Sequence, residues 1–365
     1  MKIGLITIHN ASNYGAALQT YATVQALRKH GQPEVINYKN NFITSTMSLI
    51  RIGSKPRDFF RAGKDLTRIL PRGRLLRKFN SFFSEHYNLS GPLAIDLSSL
   101  EGRYDAFVCG SDQIWNPNII GENPKLDGAY FLEFVKNKRK ISYASSAGSY
   151  KFKEDEYPKI ENYLTSFHKL SSRETDTANQ ISQILSRNVE HVLDPTLLLD
   201  KSEWKTSLHL KEDPSVEKYI LIYSLKKDKL FIDAVAAAKS HLGYKVISID
   251  QEPFAGLKVD EHIRDAGPID FLDLFINASF IVTNSFHGAA FSTNFEIPFL
   301  AVKPYSGGNR VTSLLNLVGL TERFVSSHED IEGALKGKLD FSSSRKLLAA
   351  ERKKSNEYLD SAFSI

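Results

Sequence analysis

The residues best suited to chemistry lie in the run TNSFHGAAFS, residues 283–292. An apolar strand pattern, FIVTNS, ends there, and a helix pattern begins around His287 and Gly288. An imidazole at a strand end, with a helix dipole behind it and small residues beside it, can bind an anionic oxygen or move a proton near neutral pH. We therefore predict a functional role for His287. The alternative is a histidine that caps the helix or packs in the core.

Two further segments bring cations to strand ends. The glycine-rich run KPYSGGNR carries Lys303 and Arg310 towards the same edge, where they could clamp a second anionic group. Arg173 lies where another strand ends and a helix begins, a position suited to a phosphate or carboxylate. The alternatives are a surface loop for the first segment and an arginine paired with Glu174 or Asp176 for the second.

The run GSDQIWNP follows an apolar strand directly and suits a carbohydrate. Asp112, Gln113 and Asn116 can bond sugar hydroxyls, and Trp115 can stack on a sugar ring. The alternative is an Asp-capped turn with Trp115 in the core.

A second loop that suits polar ligands, HNASNYG, follows the first strand and leaves N–H groups at a helix N-terminus, which attracts anions or sugar hydroxyls. It lacks the G-x-G-x-x-G pattern, so a structural turn is the alternative. The two loops together supply the predicted acceptor residues: Asn13, Tyr14, Gly15, Ser111, Asp112, Gln113, Trp115 and Asn116.

The elements that position these loops alternate between strand and helix. This alternation predicts an α/β fold of two Rossmann-like domains with parallel sheets, facing across a cleft with ligands at the carboxyl ends of the strands. We predict an N-terminal, acceptor-side domain over residues 1–205 and a C-terminal, donor-side domain over 206–365. The first domain carries a basic helical insertion at about 51–90, and the C-terminal helix packs back on the first domain.

Composition favours a soluble globular protein. Of the 365 residues, 42% are hydrophobic and 24% are charged, and the single cysteine, Cys109, excludes an internal disulfide framework. The sequence has no apolar stretch long enough for a signal peptide or a membrane span, so a cytoplasmic location is expected. No His and carboxylate spacing matches a metal site, and the mild overall charge argues against nucleic-acid binding.

The basic charge is concentrated in one segment. Residues 51–78 hold ten Lys/Arg against two Asp, a net of +8, while the whole chain carries +5. Amphipathic helices with clustered cations favour either a solvated hairpin that covers the sheet or a surface that meets anionic lipid headgroups or a lipid-linked pyrophosphate. Peripheral contact with the inner face of the plasma membrane follows from the second interpretation.

Six ordered motifs resemble the polysaccharide pyruvyl transferase family, which attaches pyruvate from phosphoenolpyruvate to sugars of bacterial surface polymers. They are NYGAALQTYA, YDAFVCGSDQIWN, ISYASSAG, LSSRE, LDPTLL and TNSFHGAAFS. The resemblance implies a GT-B-like pair of Rossmann domains, and it assigns phosphoenolpyruvate binding to His287 and Arg173, with Ser285 and Gly288 beside them. Many members carry arginine where this chain has Ser285, so either Arg310 or Lys303 supplies that cation, or the donor differs.

The resemblance implies transfer of pyruvate to a pair of sugar hydroxyls as a ketal, in cell-surface or exopolysaccharide biosynthesis. Phosphoenolpyruvate is then a co-substrate, no cofactor is needed, and the sugar acceptor is either free or lipid-linked. His287 serves as phosphate ligand or general acid, and Asp112 orients or deprotonates the acceptor. Two alternatives stay open: a GT-B glycosyltransferase that uses a nucleotide sugar, and a non-catalytic carbohydrate-binding or assembly protein.

Overall fold

The computed structural model describes residues 1–50, 68–91, 96–121, 125–304, 309–337 and 339–364. The chain divides into two compact units. The first unit comprises Met1–Met47, Ser81–Leu198 and Glu351–Ile365, and the second comprises Ser48–Asn80 and Leu199–Ala350. The units therefore exchange chain segments, and neither is one continuous stretch of sequence.

The first unit is built on a four-stranded parallel sheet. The strands are β1 (Lys2–Ile6), β2 (Gln32–Val35), β3 (Ala106–Cys109) and β4 (Arg139–Ser142), in the order β2-β1-β3-β4. A short parallel pair, β5 (Ser171–Ser172) and β6 (Glu190–His191), continues beyond β4 through single bridges from Ile141 to Lys169 and from Ser145 to Ser172. Because all four residues of β3 are buried, helices or loops must cover both faces of this sheet. The helices of this unit are α1 (Tyr14–Leu27), α2 (Asn41–Thr44), α4 (Pro117–Ile120), α5 (Tyr157–Leu164) and α6 (Thr175–Leu185).

The second unit contains a six-stranded sheet in which every neighbouring pair is parallel. Its strands are β7 (Tyr219–Tyr223), β8 (Lys245–Ile249), β9 (Glu261–Ile263), β10 (Phe280–Thr283), β11 (Phe299–Val302) and β12 (Phe324–Val325), in the order β12-β11-β10-β7-β8-β9. Its helices are α7 (Lys201–Leu208), α8 (Lys229–Leu242), α9 (Pro268–Ile276), α10 (Phe286–Phe295), α11 (Asn309–Leu317) and α12 (His328–Lys336). The predicted α/β class with two Rossmann-like domains is confirmed. The facing of the two domains across a cleft stays a prediction.

Two long helices contribute to both units. Residues 69–80 of α3 (Ile69–His86) belong to the second unit and the rest to the first, and α13 (Ser342–Phe363) passes from the second unit to the first at Glu351. In the first unit, the end of α13 contacts β4: the Tyr358 hydroxyl donates to the Ser142 carbonyl at 2.7 Å.

The division of the chain differs from the predicted domains at two points. The units divide between Leu198 and Leu199, a few residues before the predicted boundary at 205/206. The described part of the basic segment, residues 68–78, belongs to the second unit rather than to an insertion in the first. Charge pairing explains this, because Arg74 and Lys78 bond Asp265 and Asp270 of the second unit at 2.5 Å and 2.7 Å. The predicted insertion also covers residues 51–67, which lie outside the described residues.

No helix in the part of the chain that the structure describes is both long enough and apolar enough to cross a membrane.

Candidate functional site

Both sheets reverse their strand order at one point, and the loops that carry Asp112 and His287 lie there. In the first unit the chain moves from β1 outward to β2 and then back to β3 on the other side. In the second unit it moves from β7 to β8 and β9 and then back to β10. Adjacent loops diverge at such a point, which opens a crevice at the carboxyl ends of parallel strands. The run GSDQIWNP follows β3, and the run TNSFHG spans the end of β10.

Two side chains at the end of β10 fix the neighbouring end of β7. The Thr283 hydroxyl donates to the Tyr223 carbonyl at 2.7 Å. The Asn284 side chain accepts from the Leu225 N–H at 2.8 Å and donates to the Lys226 carbonyl at 2.6 Å. The loop after β7 is therefore held in place from the end of β10.

His287 lies in the first turn of α10. Ser285 precedes the helix in an extended conformation, and among the described residues its side chain accepts no cap hydrogen bond from the first turn. The positive end of the helix dipole lies at this strand end, and helix N-termini bind anions in many proteins. His287 is buried, with 9% of its surface exposed.

Gly288 allows this helix to start directly against β10. A Cβ atom at Gly288 would lie 2.0 Å from Thr283 Oγ1 and 2.7 Å from Thr283 Cβ, far inside contact distance. Only glycine therefore permits the close approach that puts the first turn of α10 at the strand end.

Two of the predicted donor-side cations, Lys303 and Arg310, follow the neighbouring strand β11. Lys303 is exposed directly after β11, the neighbour of β10, and its N–H donates to the Val325 carbonyl at 2.8 Å. Arg310 is half-buried in the first turn of α11. The glycine-rich loop between them, residues 305–308, lies outside the described residues. The structure thus brings Ser285, His287 and Gly288 together at the end of β10 and places Lys303 on the adjacent strand end.

In the first unit, Asp112 forms the turn that follows β3. Its backbone is left-handed, with φ at 70°, and its carbonyl accepts from the Ile114 N–H at 2.8 Å and the Ser146 N–H at 3.1 Å. Its carboxylate accepts from the Gln113 N–H at 2.8 Å and remains partly exposed. This turn holds the Asp112 carboxylate at the strand end with part of its surface open.

Gln113 and Asn116 bond each other beside this turn. The Asn116 amide donates to Gln113 Oε1 at 2.9 Å, and Asn116 also caps α4. Gly148 has a φ of 62°, and a Cβ there would lie 2.1 Å from Gln113 Oε1, so a side chain at this position would displace the amide. Both amides are partly committed to the loop itself, and Gln113 remains the more exposed of the two.

The interpretation of Trp115 as a sugar platform is wrong. Its side chain is fully buried, its ring stacks on Phe131 with centroids 5.4 Å apart, and its Nε1 donates to the Tyr130 carbonyl at 3.1 Å. The large apolar surface of the indole gains more from the core than from a solvent-facing ring contact. The alternative, a capped turn with the tryptophan in the core, describes this residue.

Arg173 does not face an open ligand site. It lies in the first unit and is buried between two carboxylates: Nη1 donates to Asp194 Oδ2 at 2.7 Å, Nε donates to Glu174 Oε1 at 3.0 Å, and Nη2 donates to Ser146 Oγ at 3.1 Å. Burial acts to lower the pKa of Arg173, but the charges of Glu174, Asp194 and Asp112 outweigh it and raise the pKa above its ordinary value. A direct contact from this guanidinium to a phosphate would require displacing these partners, so the geometry supports a positioning role instead.

This ion cluster supports the loop after β3. The Ser111 hydroxyl donates to Asp194 Oδ2 at 3.1 Å, and Asp194 Oδ1 accepts from the Thr196 N–H and hydroxyl at 2.9 Å and 2.6 Å. The predicted ligand residue Ser111 is thus committed to the network. Arg173 and Asp194 hold the backbone that presents Asp112.

The loop after β1 is also structured by its own contacts. Asn13 is exposed and caps α1 by accepting from the Ala16 N–H at 3.1 Å, while Tyr14 and Gly15 are buried in the first turn. Of the three predicted acceptor residues here, Asn13 is the one that faces solvent.

Sequence reasoning missed two groups at these strand ends. His9 is buried just after β1 with Nδ1 3.1 Å from the Thr7 carbonyl oxygen, and burial lowers its pKa below the ordinary 6.5. Glu174 is buried, and its Oε2 finds no hydrogen-bond partner among the described residues. Both directly follow predicted strands, so position at a strand end was the signal that could have found them.

No group of three or more His, Cys, Asp or Glu in the described ranges is arranged to hold a metal ion.

Comparisons with known proteins point to one family. The family model described as polysaccharide pyruvyl transferase matches residues 13–305. No curated protein matches the chain.

Several solved structures are similar to this chain at low sequence identity. One is Arabidopsis thaliana UGT89C1 complexed with UDP, with 14% identity, 99% of this chain and 98% of that chain covered, and a TM-score of 0.49. Another is UDP-GlcNAc 2-epimerase from Methanocaldococcus jannaschii, with 12% identity, 96% and 99% covered, and a TM-score of 0.48. A third is a Thermobaculum terrenum O-GlcNAc transferase mutant, with 13% identity and a TM-score of 0.48, where 99% of this chain spans 64% of that chain.

Proposed function

The chain belongs to the polysaccharide pyruvyl transferase family, and from that premise we propose that it transfers pyruvate from phosphoenolpyruvate to two hydroxyls of one sugar. The family makes the protein a transferase with a sugar acceptor. The product is a cyclic ketal on a saccharide of the bacterial cell surface.

One observation carries the choice of donor: His287 lies in the first turn of α10, without a side-chain cap from Ser285, at the point where the second sheet reverses its order. Phosphoenolpyruvate carries a phosphate and a carboxylate, and helix N-termini bind such groups through N–H donors and the helix dipole. Lys303, exposed on the adjacent strand end, supplies a positive charge for the second anionic group. Arg310 is the other cation available on this side for the position where many relatives carry arginine.

The chemistry needs a proton at carbon and two nucleophilic hydroxyls. A proton added to the methylene carbon of phosphoenolpyruvate makes a methyl group and leaves C2 electrophilic. One sugar hydroxyl attacks C2 and loses its proton. The second hydroxyl then attacks C2, loses its proton and displaces inorganic phosphate, which closes the ketal.

We assign the roles from position. His287 binds the phosphate or delivers the proton to the methylene carbon, because it combines a titratable ring with the helix N-terminus. Asp112 orients the acceptor or removes a hydroxyl proton, because its carboxylate is partly exposed on a turn held by Ser146. Gln113 and Asn13 are the polar neighbours that remain accessible to sugar hydroxyls.

Mass spectrometry of the product tests this proposal. The protein is incubated with phosphoenolpyruvate and a panel of glycosides, some free and some lipid-linked, and the expected result is one pyruvyl ketal and one inorganic phosphate per turnover. His287→Gln should lower turnover by about 100-fold or more, whereas the exposed control His241→Gln should not change it. If no acceptor gains a ketal and a nucleotide sugar alone is consumed, the protein is a glycosyltransferase and the proposal is wrong.

We also place the protein in the cytoplasm with peripheral contact to the inner membrane surface. Helix α3 supports this: Leu70 is 73% exposed, and the cations Arg74 and Arg77 are exposed one and two turns further along the same helix. Apolar and cationic side chains on one helix face suit an anionic lipid surface. The rest of the basic segment, residues 51–67, lies outside the described residues.

Flotation with vesicles that contain phosphatidylglycerol tests this contact. Leu70→Glu should reduce the bound fraction several-fold, and the exposed Leu347→Glu on α13 should leave it unchanged. Equal binding of the Leu70 variant and the unchanged protein would contradict membrane contact through α3.

A further inference from the structure

An arginine at the β9 edge of the second sheet has two side-chain nitrogens without a hydrogen-bond partner among the described residues. Arg264 directly follows β9 and is half-buried. Its Nε and Nη2 atoms are buried, and neither has a hydrogen-bond partner within the described part of the chain. A guanidinium is always charged in proteins, so these two donors cannot be neutralised by losing a proton.

The carboxylates closest in sequence and in the sheet are committed to other cations. Asp265 accepts from Arg74 Nε at 2.5 Å. Asp250, at the end of β8, accepts from Lys227 Nζ at 2.6 Å through Oδ2 and lies 2.9 Å from His262 Nε2 through Oδ1. Arg264 is therefore the cation of this strand end that lacks an anion among the described residues.

Burying charged donors without acceptors costs free energy, because their water contacts are lost and nothing replaces them. Such a group persists where a ligand supplies the missing acceptors. Two neighbouring donors of one guanidinium, Nε and one Nη, match the spacing of two oxygens of a phosphate or carboxylate group. The unmatched donors of Arg264 thus indicate an oxyanion of this kind.

The loop after β8 forms one side of this position and is held firmly. Two nearly fully buried arginines of the second unit bond its first residue after Asp250: Arg68 donates to the Gln251 carbonyl at 3.2 Å, and Arg72 donates to Gln251 Oε1 at 2.7 Å. The same loop displays Phe254 with 84% of its surface exposed. This loop therefore presents an exposed phenyl ring on a backbone that two arginines hold in place.

This position is separate from the proposed donor site. His287 follows β10 and Arg264 follows β9. These two strands are three strand spacings apart in the sheet. At the usual distance between strands this separates the two strand ends by about 14 Å. Phosphoenolpyruvate is too small to contact both, whereas a short saccharide would span the gap.

We propose that Arg264 anchors a second anion site, which binds the diphosphate ester at the reducing end of the acceptor saccharide while the sugar that is modified reaches His287. The inference rests on the proposed function for the identity of the saccharide. The exposed Phe254 favours a prenyl chain as the other substituent of the diphosphate, because a prenyl chain needs apolar surface. A nucleoside is the other source of the same diphosphate chemistry.

Protection against thermal unfolding by inorganic pyrophosphate tests the site directly. The full chain should be protected, and Arg264→Met should weaken the affinity for pyrophosphate by about 10-fold to 100-fold, because two charge-assisted hydrogen bonds are lost. Arg345→Met is the matched control, since Arg345 is an exposed arginine of the second unit with its own carboxylate, Glu296, and it should bind pyrophosphate like the unchanged protein. His287→Gln should keep most of the pyrophosphate affinity.

The ligand-free proteins provide a second measurement. Because Arg264 Nε and Nη2 have no hydrogen-bond partner among the described residues, Arg264→Met should unfold at the same temperature as the unchanged protein or higher. A structural arginine would give the opposite result. Equal pyrophosphate affinity for Arg264→Met and the unchanged protein, or a clearly lower unfolding temperature of the ligand-free variant, would overturn the site.

Farnesyl diphosphate and UDP separate the two sources. Tighter binding of farnesyl diphosphate than of pyrophosphate, with the gain lost in Phe254→Ala, supports the prenyl chain, and tighter binding of UDP contradicts it.

The pyrophosphate measurements are independent of the ketal assay. If ketals form while Arg264→Met keeps its pyrophosphate affinity, the inference alone fails, and if pyrophosphate binding depends on Arg264 while no ketal forms, the proposed function alone fails.

Discussion

The two units differ in how an arginine at a strand end is paired. In the first unit, Arg173 lies between Glu174 and Asp194 with each side-chain nitrogen bonded. In the second unit, Arg264 keeps two buried nitrogens without a partner among the described residues. A guanidinium whose nitrogens are already bonded within the protein fixes a loop and has little affinity left for a charged ligand, whereas unmatched guanidinium donors and the N-terminus of a helix attract anions. This difference supports the proposal that the first unit holds a neutral sugar and the second unit holds charged groups.

The largest expected change in stability comes from removing the cation of the cluster formed by Arg173, Glu174 and Asp194. Arg173→Met leaves two buried carboxylates without their cation and should lower the free energy of unfolding by about 3–5 kcal/mol. Urea unfolding measures this change. The partly exposed Arg103, which pairs with Glu34 at 2.7 Å, is the control, and Arg103→Met should cost within about 1 kcal/mol. Equal stability of Arg173→Met and the unchanged protein would mean that Arg173 is a ligand residue after all.

The next effect concerns the helix start in the second unit. Gly288→Ala places a Cβ 2.0 Å from Thr283 Oγ1, so α10 must shift away from β10. We expect a loss of about 1–3 kcal/mol in the free energy of unfolding together with weaker binding of phosphoenolpyruvate.

A second helical glycine provides the control for this variant. A Cβ at Gly333, in α12, would meet no atom within 4 Å. Gly333→Ala should therefore stabilise the protein by up to about 1 kcal/mol and leave donor binding intact. Full donor affinity in Gly288→Ala would show that the position of the first turn is unimportant.

A smaller effect separates a core tryptophan from a sugar platform. Trp115→Phe loses the hydrogen bond to the Tyr130 carbonyl and some packing against Phe131, at a cost of about 1–2 kcal/mol in stability. Because the ring is fully buried, KM for the acceptor should not change. Trp204→Phe, in the second unit, should give a similar pattern. A rise in the acceptor KM confined to the Trp115 variant would restore the platform interpretation.

The smallest expected effect is a change in the pH dependence of stability, which tests whether His9 is shielded from water. Burial lowers the pKa of His9 below 6.5, so the unfolded chain takes up a proton at a higher pH than the folded protein does. Stability from this residue is therefore complete above 6.5 and declines as the pH falls below it. Between about pH 7.5 and about pH 5.5, His9→Asn should lose less stability than the unchanged protein, by less than about 1 kcal/mol. An identical decline in both proteins would place His9 in contact with water.

Most of the fold could be predicted from local pattern. Buried parallel strands such as AFVC and YILIY are apolar throughout, and Gly243 ends α8 in a left-handed conformation, so periodicity and end signals were sufficient there. Two strands were not predicted. β9 reads EHI and β12 contains two residues, and both form because a neighbouring strand offers free hydrogen-bonding groups at the sheet edge.

The candidate site was predicted less completely, because strand-end position is local but the direction of a side chain is not. His287 and Asp112 lie at strand ends as expected from the order of elements. The burial of Trp115 against Phe131 and the pairing of Arg173 with Asp194 depend on residues at other positions of the chain. No local pattern distinguishes an arginine that binds a ligand from one that closes an internal ion cluster.

The central claim is that the phosphorylated donor meets the first turn of α10, and amide NMR during titration with phosphoenolpyruvate tests it most directly. The largest chemical shift changes should belong to the N–H groups of Phe286, His287 and Gly288, since an oxyanion at a helix start accepts from these donors. Donor binding at this helix start is contradicted if these signals stay in place while the largest changes occur at Arg173 and Glu174.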